Sequence, residues 1–345
     1  PDNTQKKDKG CAMKDNTIHM VKSAFHAPFK TAMEACGISA DYYFKKVKLP
    51  TEVDDPEGLL PVKPFFQLIN IVAIDENLPG FGSIIAQTTP WHKIASLAPL
   101  IEQSTNLKEL LETFCEIASQ QSSHGNFYLI DKGPHYTLSY KGSTLIKGDI
   151  QMELYRISCM IQLVQLASGA EWRPESIYLN QPKSNIFDAS PLLTKSKITF
   201  SQPYSSISIP AELLQLPVHL DIPLKTQTNV DTDADKNNDF PNSIRNIIST
   251  YSQTKNISIE ETADIAEMSV RTLQRRLSDH GLHFNDLLGE AKFTHAKAKL
   301  KDTKMPIMEI AKSLGYSDPA HFTRAFHNWS GMSPTKFRNA SSELS

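Results

Sequence analysis

Residues 307–334 read IMEIAKSLGYSDPAHFTRAFHNWSGMSP, and their spacing decides the fold of the second half of the chain. A short helix centred on Ile310 and Ala311 is followed by Gly315, a capping Asp318, and a helix with Phe322 and Phe326 at i, i+4. Small side chains at the centre let two helices cross closely, and the tight turn projects the second helix outward. A weaker copy stands upstream at 259–284, IEETADIAEMSVRTLQRRLSDHGLHF. There Ala263 and Ile265 hold the centre, Ser269 is the cap, and Leu273 and Leu277 form the i, i+4 core pair. Leu273 and Phe322 lie 49 residues apart, and a helix over Phe284–Lys301 fills the gap as a semi-rigid spacer.

The outward faces of the second helices carry recognition chemistry. Arg271, Gln274 and Arg275 share one exposed side. Pro319, Ala320, Thr323 and Arg324 share the other, with His321 at its edge, where it also reads as a capping or packing residue. Arginine matches the two acceptors of guanine, and glutamine the acceptor–donor pair of adenine, in a major groove about 12 Å wide. Two such heads on a stiff spacer fit successive major-groove faces about 34 Å apart. These eight residues are the candidate base readers. Ser269, Thr272, Ser317, Lys336 and Arg338 are the candidate phosphate contacts. Trp329 and Phe337 read as core.

Upstream, the signals mix helix and strand. Residues 63–76, 94–120 and 149–168 carry apolar positions at three- and four-residue spacing. Asn106 reads as the N-cap of Leu107–Ser119, and Gly169 closes the third helix. Phe127–Asp131 and Tyr136–Tyr140 flank Lys132-Gly133-Pro134 as a hairpin, and short strands follow at Ser176–Asn180, Lys197–Phe200 and Ser206–Ile209. Ala211–Leu216 reads as a short helix. The expected fold is an α+β N-terminal domain plus an all-α C-terminal domain with two helix-turn-helix units joined by a linker helix. The expected boundaries are a tail at 1–20, the α+β domain at 21–220, a polar linker at 221–241 and the helical domain at 242–345.

Composition limits the function classes. The chain has 345 residues, 36 Lys+Arg against 38 Asp+Glu, and 40% hydrophobic residues, which fits two or three ordinary globular domains. The four cysteines are scattered with no C-x-x-C pair, so a reducing, cytoplasmic setting is expected, with no metal and no cofactor. No apolar run approaches the roughly 18 residues of a membrane span. Phosphate-loop, dinucleotide, zincin and nucleophile-elbow motifs are missing, which argues against an enzyme. The near-zero net charge of -2 conceals two opposite halves. Residues 240–345 carry 14 Lys+Arg against 11 Asp+Glu, and residues 1–239 carry 22 against 27. A domain of +3 has modest non-specific affinity for nucleic acid, so dimer formation and base contacts gain weight.

With these residues in hand, the second half resembles the DNA-binding domain of AraC-type (AraC/XylS) transcription regulators. The match runs from Ile310-Ala311 through Gly315-Tyr316, His321-Phe322, Arg324, Phe326 and Gly331 to Ser333-Pro334 and Arg338. Ala263, Ser269, Arg271, Leu273, Gln274, Arg275 and Gly281 carry it in the first copy. Lys292 stands where the family usually shows Arg, and Glu267 where Gly is usual. The glutamate predicts a looser first turn and a negative charge near the DNA-facing end.

The first half is similar to the effector domain of the subgroup that includes ornithine-utilisation regulators. The matching residues are Gly37-Ile38, the run GFGS at 80–83, Trp172-Arg173-Pro174 and Phe200–Tyr204 leading to Ile209–Leu214. The resemblance implies promoter DNA as partner, a small-molecule effector, a homodimer and contact with RNA polymerase. The alternative is an N-terminal domain that serves only as a dimerisation or protein-partner module. Candidate effector residues are Phe65, Phe66, Trp91, Tyr128, Tyr155 and Trp172, with Phe127 and Tyr136 in the same aromatic set. Lys30, Lys93 and Arg156 are candidate holders of an acidic effector. His92, His124 and His135 read as surface or satisfied histidines.

Overall fold

The computed structural model describes residues 18–53, 55–94, 97, 104–142, 150–218, 239–252, 257–302 and 305–342. The N-terminal half opens with β1 (Met20–Lys22), α1 (His26–Ala35) and α2 (Ala40–Lys46), then β2 (Leu59–Pro61), α3 (Val62–Asp75) and α4 (Phe81–Thr88). It continues with α5 (Leu107–Gln121), β3 (Gly125–Asp131), β4 (His135–Gly142), α6 (Ile150–Ser168), β5 (Ser176–Tyr178), β6 (Lys197–Thr199) and β7 (Ser205–Pro210). A 3-10 turn over Ala211–Gln215 closes this half.

Two sheets result. β1 and β2 form an antiparallel pair, and the larger sheet has the order β3-β4-β7-β5-β6. Its strands are antiparallel except for β5 with β6. The β3–β4 hairpin closes where Gly133 takes a left-handed conformation (φ +83°) and donates its N–H to Asp131 Oδ1 at 2.7 Å.

Helix α6 is buried on nearly every side from Gln151 to Val164 rather than along one stripe, and the charges it carries inside, Glu153 and Arg156, pair with each other. It lies against α4 at Gly82. A Cβ there would fall 2.1 Å from the Gln151 carbonyl oxygen, so only glycine allows the approach. Ser83, the next residue of the GFGS run, is buried with its hydroxyl 2.8 Å from that of Ser190 and accepts from Ser158 at 3.2 Å.

The C-terminal half is helical: α7 (Phe240–Tyr251), α8 (Ile259–Ile265), α9 (Val270–Asp279), α10 (Phe284–Asp302), α11 (Ile307–Ser313), α12 (Pro319–Ser330) and α13 (Pro334–Ser342). Each helix pair is set by its cap. Ser258 and Glu261 form a reciprocal capping box on α8. Ser269 Oγ accepts from Thr272 N at 3.1 Å on α9, and Asp318 Oδ1 accepts from Ala320 N at 2.8 Å on α12. Gly331 (φ +74°) ends α12.

The two helix-turn-helix units have different cores. Phe322 and Phe326 pack with Ile310, Ala311, Leu314, Ala296 and Leu300 in a cluster of their own. Leu273, Leu277, Ala263 and Ile265 join Ile244, Ile247 and Ile248 of α7, and this cluster is continuous with the N-terminal core. The first unit is therefore docked on the N-terminal half. Thr250 Oγ1 of α7 donates to the Leu59 carbonyl of β2 at 3.0 Å across that junction.

The sheet-bearing first half and helical second half have the expected class, but several particulars differ. Residues 18–20, expected in the tail, are folded: the Met20 N–H donates to Ser123 Oγ at 2.8 Å, and Met20 is buried. Phe240 and Pro241, expected in the linker, begin α7, because Asp239 caps it. The rest of the tail (1–17), residues 219–238 of the expected linker region and much of the expected 94–103 helix lie outside the described residues. Helices α1, α2 and α4 were not anticipated.

Candidate nucleic-acid interface and effector cavity

On α9, Arg271, Gln274 and Arg275 are exposed opposite buried Leu273 and Leu277. Arg275 Nη1 lies 3.5 Å from Asp279 Oδ2, an exposed i, i+4 pair of little energetic weight that a phosphate or base can replace. Arg276 turns inward instead, 3.7 Å over the Phe240 ring, and staples α9 to α7. On α12, Ala320, His321 and Arg324 are exposed, and Pro319 and Thr323 are half-buried. Thr323 Oγ1 donates to the Pro319 carbonyl at 2.9 Å, which leaves its methyl as the outward chemistry. His321 Nε2 lies 3.7 Å from the capping Asp318 carboxylate. Each group of candidate readers thus shares one outward helix face.

The candidate phosphate contacts divide. Ser317 and Lys336 are exposed. The Ser269 oxygen accepts as the cap, and with Thr272 Oγ1 2.9 Å away one hydroxyl proton of the pair is left to donate outward. Arg338 departs from expectation. It is half-buried, and its Nη2 donates to the Met305 carbonyl at 2.6 Å, tying α13 to the segment two residues before α11. This bond makes Arg338 a structural tie rather than the phosphate contact its position suggested. Lys292 of the spacer helix is buried with its ammonium 4.8 Å from the Tyr316 ring centroid, and burial pushes its pKa down.

Glu267 also corrects the sequence reading. Its backbone adopts the left-handed conformation (φ +56°), so the turn is as tight as a glycine would make it. Its carboxylate pairs with Lys63 of α3, and Asp264 pairs with Lys48 in the same junction. The negative charge is therefore answered by the N-terminal half.

That half holds a half-open cavity of about 100 Å³. Phe65, Phe66, Trp91, Phe127, Tyr155 and Arg156 line it. Tyr128, Trp172, Tyr136 and Lys93 are not among the lining residues, and Lys30 is spent on Glu52 at 2.8 Å. Tyr128 is 44% exposed because it follows Phe127 on a strand, and successive strand residues face opposite sides. Tyr136 donates to Asp131 Oδ2 at 2.9 Å. Trp172 packs at the edge of the core.

The wall also takes residues the sequence did not flag, among them Phe114, Gln121 and Tyr140, and it includes His124, read as a surface or satisfied histidine, which is buried. Burial, Arg156 and His19 push the His124 pKa down to about 3, so its ring is neutral. Strand alternation, which places Phe127 inside, was the signal available for excluding Tyr128. Nothing local marked His124. Among the described residues no group of three or more His, Cys, Asp and Glu could hold a metal, and no helix is long and apolar enough to cross a membrane.

Two outward-facing recognition helices on a helical unit, docked to a cavity-bearing α+β domain, define a DNA-binding transcription regulator with an effector-binding type of N-terminal domain. Residues 262–340 match the helix-turn-helix domain family, and residues 37–218 match the arabinose-binding N-terminal domain of the AraC transcription regulator. The latter match spans more than half of the chain, and the protein belongs to the AraC family of transcription regulators.

Among its relatives, the ornithine utilization regulator of Pseudomonas aeruginosa is 29% identical over 341 residues, covering 94% of this chain and 98% of that protein. VqsM, a helix-turn-helix regulator of the same organism, is 39% identical over 83 residues. That alignment spans 24% of this chain and about a quarter (26%) of VqsM. The crystal structure of the transcriptional regulator CdpR from Pseudomonas aeruginosa is 15% identical with a TM-score of 0.41, covering 92% of this chain and 98% of that one. The matched families and relatives are regulators rather than enzymes.

Proposed function

We propose that this regulator reads promoter DNA through both helix-turn-helix units and that a small molecule in its N-terminal cavity sets how well it does so. Arg271, Gln274 and Arg275 read one major-groove segment. Pro319, Ala320, His321, Thr323 and Arg324 read the next. Ser269, Thr272, Ser317 and Lys336 meet phosphates. The domains are taken as an α+β sensor ending near residue 218 and a DNA-binding unit beginning near residue 239. The modest positive charge of the second half favours a homodimer, and regulation would pass to RNA polymerase in the cytoplasm.

One observation supports small-molecule control above the alternative of a pure dimerisation module. The first turn of α3 serves both sites at once. Val62, Phe65 and Phe66 line the cavity, while Lys63 between them pairs with Glu267 in the turn that leads into α9. A ligand that binds one arrangement of this turn better than another necessarily biases the first reading head.

The test uses duplexes selected from a random pool by the full chain, at fixed salt. Arg271→Ala and Arg324→Ala should each lose about 1–3 kcal/mol of specific binding and relax discrimination at different base positions. Specific affinity that survives both substitutions would remove these helices from the interface.

A further inference from the structure

We propose that the N-terminal cavity takes a small uncharged ligand: a single ring or short branched chain carrying one neutral hydrogen-bonding group. This names the ligand class for the control reading above and rests on it.

Size comes first. A volume of about 100 Å³ is on the scale of apolar cavities that accept a single-ring guest. The wall is an aromatic box. Trp91 stacks on Phe114 with ring centroids 4.9 Å apart. Phe127 stands edge-on to both, at 5.4 and 5.0 Å. Such walls offer a ring both faces and edges.

The polar groups of the wall are almost all occupied. Tyr155 Oη accepts from Trp91 Nε1 at 3.0 Å. Tyr140 Oη lies 2.6 Å from His124 Nδ1. Arg156 pairs with buried Glu153 and lies 3.8 Å from the Tyr140 ring centroid. Two buried side-chain atoms on lining residues have no partner among the described residues: His124 Nε2 and Gln121 Oε1. Their residues are only 6% and 8% exposed.

An unanswered buried polar atom costs about 1–3 kcal/mol, so a partner that satisfied both would recover much of that. The two residues flank the corner where α5 ends and β3 begins. When Tyr140 donates to Nδ1 of the neutral imidazole, the remaining proton sits on Nε2. The corner then offers one donor and one acceptor. A hydroxyl or a primary amide complements both.

The same inventory excludes other classes. A sugar brings several hydroxyls, and most would be buried against rings with no partner. An ion fares no better. The lining Arg156 is already neutralised by Glu153 behind it, so a carboxylate finds no free positive charge and an ammonium meets Arg156, each at the cost of leaving water.

The test is titration calorimetry on the full chain at neutral pH with four probes: phenol, toluene, benzoate and L-arabinose. Phenol should bind one per chain, toluene about tenfold more weakly, and benzoate and arabinose more weakly still. Gln121→Leu, close in volume, should lower phenol to the affinity of toluene and leave toluene unchanged. Ala118→Phe, which fills the cavity, should abolish both. Equal binding of phenol and toluene to the native chain, or benzoate or arabinose binding more tightly than phenol, overturns the proposal. Measuring selected-duplex affinity alongside separates the two readings. Phenol bound as described with duplex affinity unchanged keeps the ligand class and sinks the control reading. A charged or polyhydroxylated compound that shifts duplex affinity while phenol fails to bind does the reverse.

Discussion

Arg338 and Lys336 lie two residues apart on one exposed-looking stretch, and both read as phosphate contacts in sequence. Their environments separate them. Arg338 gives its Nη2 to the Met305 carbonyl at 2.6 Å, whereas Lys336 is exposed. Arg338→Ala should therefore cost about 1–3 kcal/mol in urea unfolding, as the loss of a half-buried charged hydrogen bond, and leave the salt slope of DNA binding alone. Lys336→Ala should change stability by less than about 0.5 kcal/mol and reduce that slope by about one. A salt slope that falls for Arg338→Ala with stability unchanged would return Arg338 to the interface. The same contrast limits what single residues disclose. Arg276 and Arg275 are neighbours on α9, yet Arg276 is laid over Phe240 while Arg275 is exposed. Helical periodicity puts Arg271, Gln274 and Arg275 opposite Leu273 and Leu277, which is why that face is legible in the sequence.

At the scale of elements, what could be read was what periodicity and punctuation mark strongly. The hairpin showed through Lys132-Gly133-Pro134 between alternating runs. Asn106, Ser269 and Asp318 all cap the helices expected of them. The short helices α1, α2 and α4 escaped because they have few turns and are defined by what they pack against. Helix α4 is the clearest case. Its place depends on Gly82, whose role is a missing Cβ against α6 rather than any positive signal. Gly82→Ala should push α4 off the Gln151 carbonyl and destabilise the chain by about 1–3 kcal/mol or more, lowering its thermal midpoint. An unchanged midpoint would mean that α4 and α6 can separate without loss. The cavity was half legible for a related reason. Aromatic residues announce themselves, but which of them meet is fixed by strand facing and by distant elements. Gln121 continues the buried three- and four-residue stripe of α5 just past the Ser119 end that the sequence suggests, whereas His124, outside any element, has no periodic signature.

For the whole molecule, the decisive relation is between halves that the sequence presents as separate. The core of the first helix-turn-helix unit is continuous with the N-terminal core, while the second unit keeps a core of its own. Lys63–Glu267 and Lys48–Asp264 sit at this junction on half-exposed side chains, so each pair contributes at most about 1 kcal/mol and is screened by salt. Apolar packing holds the junction, and the ion pairs add little to it, which is the range that the proposed control needs. Lys63→Glu sets two carboxylates face to face. It should loosen the first unit and speed amide exchange across Ala263–Leu277 by about two- to fivefold at low salt, with the second unit unaffected. Combining Lys63→Glu with Glu267→Lys restores the opposite charges and should return exchange to its original rate, because only the direction of the pair has changed. The selected-duplex affinity should move with the exchange rate in both variants. Exchange that ignores the single substitution, or a double variant that fails to recover, would show that α3 does not hold the first reading head, and the route from cavity to DNA would then have to run elsewhere.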